Sequence, residues 1–210
     1  MGQLGAAVGT SRDGNRAEQD IEMGYYTVQP NRWTFQSDKI REWVESWCLG
    51  RDRVLNACAG KTKLQLENVV RNDIDPNVDA ELHVDVCEIA DHFDRDSFDA
   101  IIYDPPFTAN QATTTYEGRE VGDDALAKRQ FHELLRPGGR VIQMGYTTTC
   151  MPLSLGYTRR AVAIFNTLGR MHDYLGTVDE YPAYETTNDP PDTRQVELAF
   201  GEDRRGGARE

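Results

Sequence analysis

The sequence contains no run of about 18 consecutive apolar residues, the minimum that suggests a membrane-spanning helix. Its first residues also lack the basic stretch followed by an apolar stretch that marks a secretory signal peptide. We therefore expect a cytoplasmic protein that does not bind membranes. With 210 residues, the chain is long enough for one domain with a hydrophobic core and too short for two domains of usual size.

Cysteine is scarce, and its four copies form no C-x-x-C pair. A domain of this size does not need disulfides for stability, so buried free thiols are the expected state. Cys87 lies four residues after His83, a spacing found in zinc sites, but such sites normally use a second pair that this sequence does not offer. We therefore predict no bound metal.

Lysine is rare as well. Only four of the 23 basic residues are lysine, and 35 acidic residues give the chain a formal net charge of −12. An acidic chain that prefers arginine to lysine is typical of a halophilic cytoplasm, where salt screens the repulsion between surface charges. Nucleic-acid-binding proteins usually carry a basic face, so the net charge disfavours such a partner, although it does not describe any single cleft.

Helix and strand patterns alternate along the chain. Ser37 is a common N-cap residue, and the apolar residues after it recur with helical spacing until Gly50. A second helix is predicted from Asp123 or Asp124 to Leu135. Strands are predicted at residues 53–57, 68–74, 82–86, 98–103 and 140–144. The last part of the chain is predicted to hold a helix at 159–168 and strands at 171–178 and 195–200.

This alternation predicts an α/β fold, with a single Rossmann-like domain built on a mostly parallel seven-stranded sheet and helices on both faces. We expect the domain to span residues 25–201, between a flexible leader at 1–24 and a flexible tail at 202–210. Ligands of such sheets bind at the carboxyl ends of the strands. The residues that directly follow each strand are therefore the candidates for a functional site.

Small and acidic residues occupy those positions. The first core strand is followed by small residues up to Gly60, which would let the backbone approach a ligand closely. The next three strands are followed by acids, namely Asp73 and Asp75, then Asp85, then Asp104. One such acid often only caps a helix or closes a turn. Acids after three successive strands indicate a shared binding site.

Residues Gly60-Lys61-Thr62 also look like the end of a phosphate-binding P-loop, G-x-x-x-x-G-K-[ST]. In that alignment the first glycine of the motif falls at Leu55, inside the predicted strand. Without that glycine the loop cannot curl round a phosphate. A nucleotide-binding protein of the P-loop type is therefore an alternative that the sequence disfavours.

Three segments resemble motifs of one enzyme family. Residues 54–60, VLNACAG, resemble the first cofactor motif of class I S-adenosylmethionine-dependent methyltransferases. Residues 104–107, DPPF, resemble the catalytic motif [D/N/S]-P-P-[Y/F/W] of amino-methyltransferases that act on adenine N6 or cytosine N4. Residues 134–142, LLRPGGRVI, resemble the L-x-P-G-G turn before the fifth strand of that fold. The resemblance covers about residues 33–144, and no separate target-recognition domain accompanies it.

The resemblance implies S-adenosylmethionine as the cofactor and a reaction without a metal. In this reading Asp73 binds the ribose and Asp85 the adenine amino group, with the choice between Asp73 and Asp75 left open. The residues that the resemblance assigns to cofactor binding are Phe35, Ser37, Asn56, Ala57, Cys58, Gly60, Asp73 and Asp85.

The resemblance further assigns catalysis to Asp104, Pro105, Pro106 and Phe107. An aromatic amine is a weak nucleophile because its lone pair is delocalised into the ring. Acceptors on both N–H groups, the Asp104 carboxylate and the Pro105 carbonyl, would direct that lone pair at the sulfonium methyl. Phe107 would stack on the base. Residues 108–122, polar and without periodicity, would form either a lid over the base, with Gln111, Tyr116 and Arg119 as its contacts, or an ordinary surface loop.

We therefore predict methyl transfer to an exocyclic base amine, with N6 of adenine in DNA as the first choice. DNA cytosine N4 and RNA adenine are the alternatives, and protein glutamine ranks lower because its methyltransferases usually carry Asn at the position of Asp104. The expected partner is nucleic acid, DNA before RNA. A specificity subunit or a second copy of the chain would supply sequence recognition. A non-catalytic binding subunit with a methyltransferase-like fold is an alternative of a different class.

Overall fold

The computed structural model describes residues 20–106, 123–169, 172–183 and 199–200. Short 3₁₀ segments lie at Thr34–Gln36, Val86–His92 and Leu153–Leu155. No helix within these ranges is both long and apolar enough to cross a membrane. The strands and α-helices, in chain order, are β1 (Glu22–Thr27), α1 (Asp38–Cys48), β2 (Val54–Asn56), β3 (Val69–Arg71), β4 (Phe98–Tyr103), α2 (Asp124–Leu134), β5 (Leu135–Gly145), β6 (Thr158–Asn166) and β7 (Tyr174–Glu180).

The seven strands form one sheet in the order β1-β6-β7-β5-β4-β2-β3. Strand β7 runs antiparallel to its neighbours β5 and β6, and every other pair is parallel. From β2 the chain moves to β3 on one side and then returns to β4 on the other side. The order of strands thus reverses at β2 and β4, and ligands of open α/β sheets bind beyond the carboxyl ends of strands at such a point.

Each face of the sheet is covered by its own hydrophobic cluster. On one face Trp43 and Val44 of α1 belong to the same cluster as Ile102 of β4. On the other face Phe131 of α2 packs in a cluster with Ile101 of β4. Residues 100–103 of β4 alternate between the two clusters, as side chains of a strand must. The predicted fold class, a mostly parallel seven-stranded α/β sheet with helices on both faces, is confirmed.

Both predicted helix starts are confirmed. Ser37 is the N-cap of α1 by position and backbone conformation, although its side chain makes no capping hydrogen bond. Asp123 caps α2, and its Oδ1 accepts hydrogen bonds from the backbone N–H groups of Ala125 and Leu126. The predicted strand at 98–103 coincides with β4.

The predicted helix at 159–168 is wrong, because this segment forms β6. Ala161, Ala163 and Phe165 are buried, and the residues between them are only partly buried, which is the period of a strand. The sequence hides this period because residues 161–165 are all apolar. Pairing with β1 on one side and β7 on the other fixes the extended conformation.

The predicted strand at 82–86 is reduced to a single bridge between Leu82 and Asn72. The chain then enters the 3₁₀ segment Val86–His92, so it has no room for a longer ladder. Strand β1 begins at Glu22, within the segment predicted as a leader, and β5 begins before residue 140. The strand predicted at 195–200 lies mostly outside the described residues, and residues 199–200 are helical.

Candidate functional site

A pocket of about 750 Å³ opens at the carboxyl ends of β2, β3 and β4, where the strand order reverses. Six of the eight residues predicted to bind a cofactor line it, together with Asp104 and Pro106 of the predicted catalytic turn. Its full lining is Trp33, Thr34, Phe35, Ala57, Cys58, Ala59, Gly60, Lys61, Thr62, Asn72, Asp73, Ile74, Asp75, Val84, Asp85, Val86, Asp104 and Pro106. The structure therefore brings the strand-end residues together, as the fold pattern predicts.

The loop after β2 is held by backbone hydrogen bonds on both sides. The Ala57 N–H donates to the Ile102 carbonyl at 2.9 Å, and the Ala59 N–H donates to the Asn72 carbonyl at 2.8 Å. Gly60 adopts a φ of +57°, a left-handed conformation that costs glycine little. The result is a fixed backbone surface with small side chains, which a ligand can approach closely.

Asp73 ties this loop to the end of β3. Its Oδ2 accepts a hydrogen bond from the Gly60 N–H at 2.8 Å, and its Oδ1 accepts one from the Asp75 N–H at 2.9 Å. A carboxylate has about four acceptor positions, so each oxygen keeps capacity for a ligand hydroxyl. Asp75 lines the same pocket, but its Oδ1 accepts from the Asn77 backbone and side chain. Of these two acids, Asp73 is therefore the one that is hydrogen-bonded to the loop after β2.

Asp85 and Asn72 complete the strand-end framework. Asp85 caps the 3₁₀ segment after it through a 2.9 Å hydrogen bond from the Cys87 N–H to its Oδ1. The buried Asn72 amide donates to the carbonyls of Ala57 and Val84 and accepts from the Val84 N–H. The sequence motifs did not identify Asn72 as a site residue. The one feature of the sequence that could have indicated it is that this polar amide directly precedes Asp73.

Asp104 follows β4 and lines the pocket. Its Oδ1 is shielded from solvent and has no hydrogen-bond partner among the residues that the structure describes. Burial raises the pKa of Asp104 to about 7, and a hydrogen bond with the Thr34 side chain partly opposes that shift. A shielded acceptor without a partner is costly, and a hydrogen bond from a ligand or a water molecule would remove that cost.

The Asp-Pro-Pro turn also borders a second pocket of about 700 Å³, on the α2 side of the sheet. Pro106 lines both pockets, so the turn lies between them. This second pocket is lined by Tyr103, Pro105, Pro106, Asp124, Lys128, Gln143, Met144, Gly145, Tyr146, Thr147 and Thr149. The sequence did not predict that the polar residues of this pocket belong to a site. The one feature that could have indicated Gln143 is that it is an amide between apolar residues of β5.

Two predicted cofactor residues do not line the first pocket. Ser37 is buried at the start of α1. Asn56 is buried at the end of β2, and neither polar atom of its side chain has a hydrogen-bond partner within the described ranges. The remaining predicted site residues, Phe107, Gln111, Tyr116 and Arg119, lie outside the described residues.

Two further pocket residues were missed in other ways. Lys61 was considered only as part of the P-loop-like pattern, and Trp33 belongs to no motif of the sequence. The Nζ of Lys61 lies 5.9 Å from the ring centroid of Trp33.

In the part of the chain that the structure describes, no group of three or more His, Cys, Asp or Glu residues is placed to hold a metal ion.

No protein-family model matches the chain, and the search of curated proteins found no match. Among solved structures, the chain is similar to 1,6-didemethyltoxoflavin-N1-methyltransferase from Burkholderia thailandensis, crystallised with S-adenosylhomocysteine, at 16% identity and a TM-score of 0.46. That match covers 68% of this chain and 76% of the other. N-methyltransferase NodS from Bradyrhizobium japonicum WM9 gives 12% identity, coverage of 69% and 96%, and a TM-score of 0.45.

TrmN from Thermus thermophilus gives 16% identity and a TM-score of 0.47. The match covers 69% of this chain and only 49% of TrmN. Likenesses of this size do not establish a shared activity. What the chain does must therefore be argued from the residues of its two pockets.

Proposed function

We propose that this chain is a class I S-adenosylmethionine-dependent methyltransferase that methylates an exocyclic amine of a nucleic-acid base, with N6 of adenine in DNA as the first choice. The observation that carries the proposal is Asp104, whose unpartnered carboxylate oxygen lies on a rigid turn between two pockets. A methyl donor in one pocket and an amine in the other would meet at this turn.

The first pocket suits the cofactor. Its lining combines apolar side chains with a few convergent carboxylates, which is the usual composition of a small-molecule site. Asp73 or Asp75 would bind the ribose hydroxyls, and Asp85 would accept from the adenine amino group. The small residues from Ala57 to Gly60 would lie against the methionine part. When bound, S-adenosylmethionine supplies an electrophilic methyl group on a positively charged sulfur.

Asp104 and Pro105 would prepare the amine. The Oδ1 atom of Asp104 would accept one N–H of the amine and the carbonyl oxygen of Pro105 the other, which favours a tetrahedral nitrogen with its lone pair directed at the methyl group. Transfer would form a bond from the amine nitrogen to the methyl carbon and break the bond from sulfur to that carbon. The nitrogen would then lose one proton, and the Asp104 carboxylate would accept it.

Phe107 would provide the stacking surface for the base, and Gln111, Tyr116 and Arg119 would contact it from above. The acidic net charge of −12 is compatible with a nucleic-acid substrate if a specificity subunit or a second copy supplies most phosphate contacts. RNA adenine and DNA cytosine N4 would use the same geometry. Transfer to each substrate therefore has to be measured.

The test is transfer of a tritiated methyl group to DNA, tRNA and rRNA in molar KCl, with the wild type, Asp104→Ala and Asp52→Ala compared. Asp52 is an exposed acid that precedes β2, at the opposite edge of the sheet, and serves as the matched control. We expect Asp104→Ala to abolish transfer, with calorimetric binding of S-adenosylmethionine nearly unchanged, and Asp52→Ala to behave as the wild type. Full activity in Asp104→Ala would refute the role of Asp104, and no heat of binding in the wild type would indicate a non-catalytic subunit.

A further inference from the structure

Gly60, in the loop after β2, is held on both sides of its backbone by side chains from the end of one strand. Its N–H donates to Oδ2 of Asp73 at 2.8 Å, and its carbonyl oxygen accepts from Nη2 of Arg71 at 2.8 Å. Arg71 is the last residue of β3, and Asp73 follows it two positions later. The two hydrogen bonds together fix the two peptide groups that flank Gly60.

The backbone conformation of Gly60 needs such contacts. Its φ is +57°, and glycine adopts positive and negative values of φ about equally, so the residue itself does not favour this conformation. The space beside its Cα is open, because an added Cβ would meet no atom within 4 Å apart from those of its chain neighbours. Contacts to its backbone must therefore hold the conformation, and the hydrogen bonds with Asp73 and Arg71 supply them.

The side chain of Arg71 serves this one contact. The residue is 8% exposed, and the hydrogen bond to Gly60 is the only one that its guanidinium makes within the described ranges, where Nε has no partner. Its backbone is fixed independently, because its N–H donates to Oε2 of Glu81 at 2.8 Å and its carbonyl accepts from the N–H groups of Glu81 and Leu82. Removal of the guanidinium would thus leave this backbone in place and take away one of the two restraints on Gly60.

Gly60 lines the first pocket and Arg71 does not, so Arg71 would act on a ligand there through the loop. We propose that Arg71 is a positioning residue of the cofactor site, which holds Gly60 in the conformation that binds the methionine part of the methyl donor. This inference deepens the proposed function and rests on its placement of S-adenosylmethionine in the first pocket. Asp73 differs from Arg71 because its carboxylate would also bind the ribose. Loss of Arg71 should therefore weaken only ligands that carry the amino-acid part.

The test compares the binding of two ligands by isothermal titration calorimetry. S-adenosylhomocysteine carries the amino-acid part, whereas methylthioadenosine has the same adenosine and sulfur with only a methyl group beyond them. In Arg71→Met we expect the affinity for S-adenosylhomocysteine to fall about tenfold, the size of one hydrogen bond from a charged donor, and that for methylthioadenosine to change by less than about twofold. Arg71→Lys keeps a charged donor and should recover most of the lost affinity.

Arg53→Met is the matched control. The Arg53 guanidinium lies over the rings of Phe93 and Phe98, 5.6 Å and 4.8 Å from their centroids. Arg53 directly precedes β2, so it lies at the opposite edge of the sheet from the pocket. This variant also replaces an arginine by methionine, and it should bind both ligands as the wild type does.

Two further variants separate the role of Arg71 from general damage to the pocket. Asp73→Ala should weaken both ligands, because both contain the ribose. If Arg71→Met does not fold, Gly60→Ala takes its place, because its methyl group meets no neighbouring atom and yet disfavours the left-handed conformation. It should weaken the binding of S-adenosylhomocysteine alone.

The possible failures are distinct. Equal losses for both ligands in Arg71→Met, or no loss for either, would overturn the role of Arg71 and leave the proposed function standing. Equal affinities of Gly60→Ala and the wild type for S-adenosylhomocysteine would do the same. A wild type that binds neither ligand would overturn the placement of the cofactor, and with it both the proposed function and this inference. A wild type that shows the ligand pattern but methylates no base would overturn the proposed function alone.

Discussion

The backbone N–H of Gly60 donates a 2.8 Å hydrogen bond to Oδ2 of Asp73, although the two residues follow different strands of the sheet. This bond joins the loop that would lie against the methionine part of the cofactor to the acid that would bind the ribose. In the proposed function, one carboxylate would thus both anchor the loop and bind the ribose, and a substitution would remove both interactions together.

We predict that Asp73→Ala weakens the binding of S-adenosylhomocysteine by at least about tenfold, because the loop loses its anchor and the ribose loses an acceptor. Isothermal titration calorimetry measures this directly. Asp79→Ala is the control, since Asp79 is an exposed acid of the same segment that pairs with Lys63 at the surface. Equal losses in the two variants would contradict a specific role for Asp73.

Activity should rise with pH through about 7. Burial raises the pKa of Asp104 to about 7, so the carboxylate that would accept the amine N–H in the proposed reaction becomes fully ionised only above that pH. We expect kcat/KM for a DNA oligonucleotide to increase between pH 6 and 8 in the wild type. In Asp104→Asn, whose amide oxygen accepts hydrogen bonds without titrating, the same range should be flat. A rise of equal size in the Asn variant would assign the ionisation to another group.

Gly176 is predicted to tolerate no side chain. A Cβ at this position of β7 would lie 2.5 Å from the Trp43 ring of α1. We expect Gly176→Ala to lower the free energy of unfolding by about 1–3 kcal/mol, measured by urea denaturation. Trp43→Leu in the same chain should reduce that penalty, because it removes the clashing ring atoms. Strictly additive effects of the two changes would show that the clash is relieved elsewhere.

The fold should lose stability in mild acid through His132. Desolvation lowers the pKa of this buried histidine to about 4, and its Nδ1 lies 3.1 Å from the Tyr157 hydroxyl. The unfolded chain binds a proton near pH 6.5, so stability falls as pH drops from about 6.5 toward 4, by roughly 3 kcal/mol in total. Urea titrations at pH 7 and pH 5 should show a smaller loss in His132→Gln than in the wild type. The same loss in both would exclude His132 as the cause.

Local signals were sufficient for much of this architecture. Asp123 precedes an amphipathic segment and caps α2, and β4 is apolar at every position except Asp99, with the apolar residues buried on both faces. The site could be anticipated for the same reason, because parallel strands collect their carboxyl ends at one edge. Asp73, Asp85 and Asp104 therefore meet although they are distant in sequence.

The features that the sequence did not predict depend on contacts between residues that are far apart in the sequence. The run at residues 161–165 is apolar at every position, and only pairing with β1 and β7 decides that it is a strand. Gln143 is unremarkable until β5 is placed beside Tyr103 and α2. Ser37 satisfies the helix-start pattern, yet the packing that buries it also keeps it out of the pocket lining.

The position of β1 at the sheet edge has a consequence during synthesis on the ribosome. Its neighbour in the sheet is β6, so Glu22 reaches its register partner only after Ala161 has been made. Until then residues 22–27 lack their partner among the strands that the structure describes. Of those strands β1 is the first to be translated and cannot dock until β6 is made, and a pause before β6 emerges would leave residues 22–27 open to pairing with other chains.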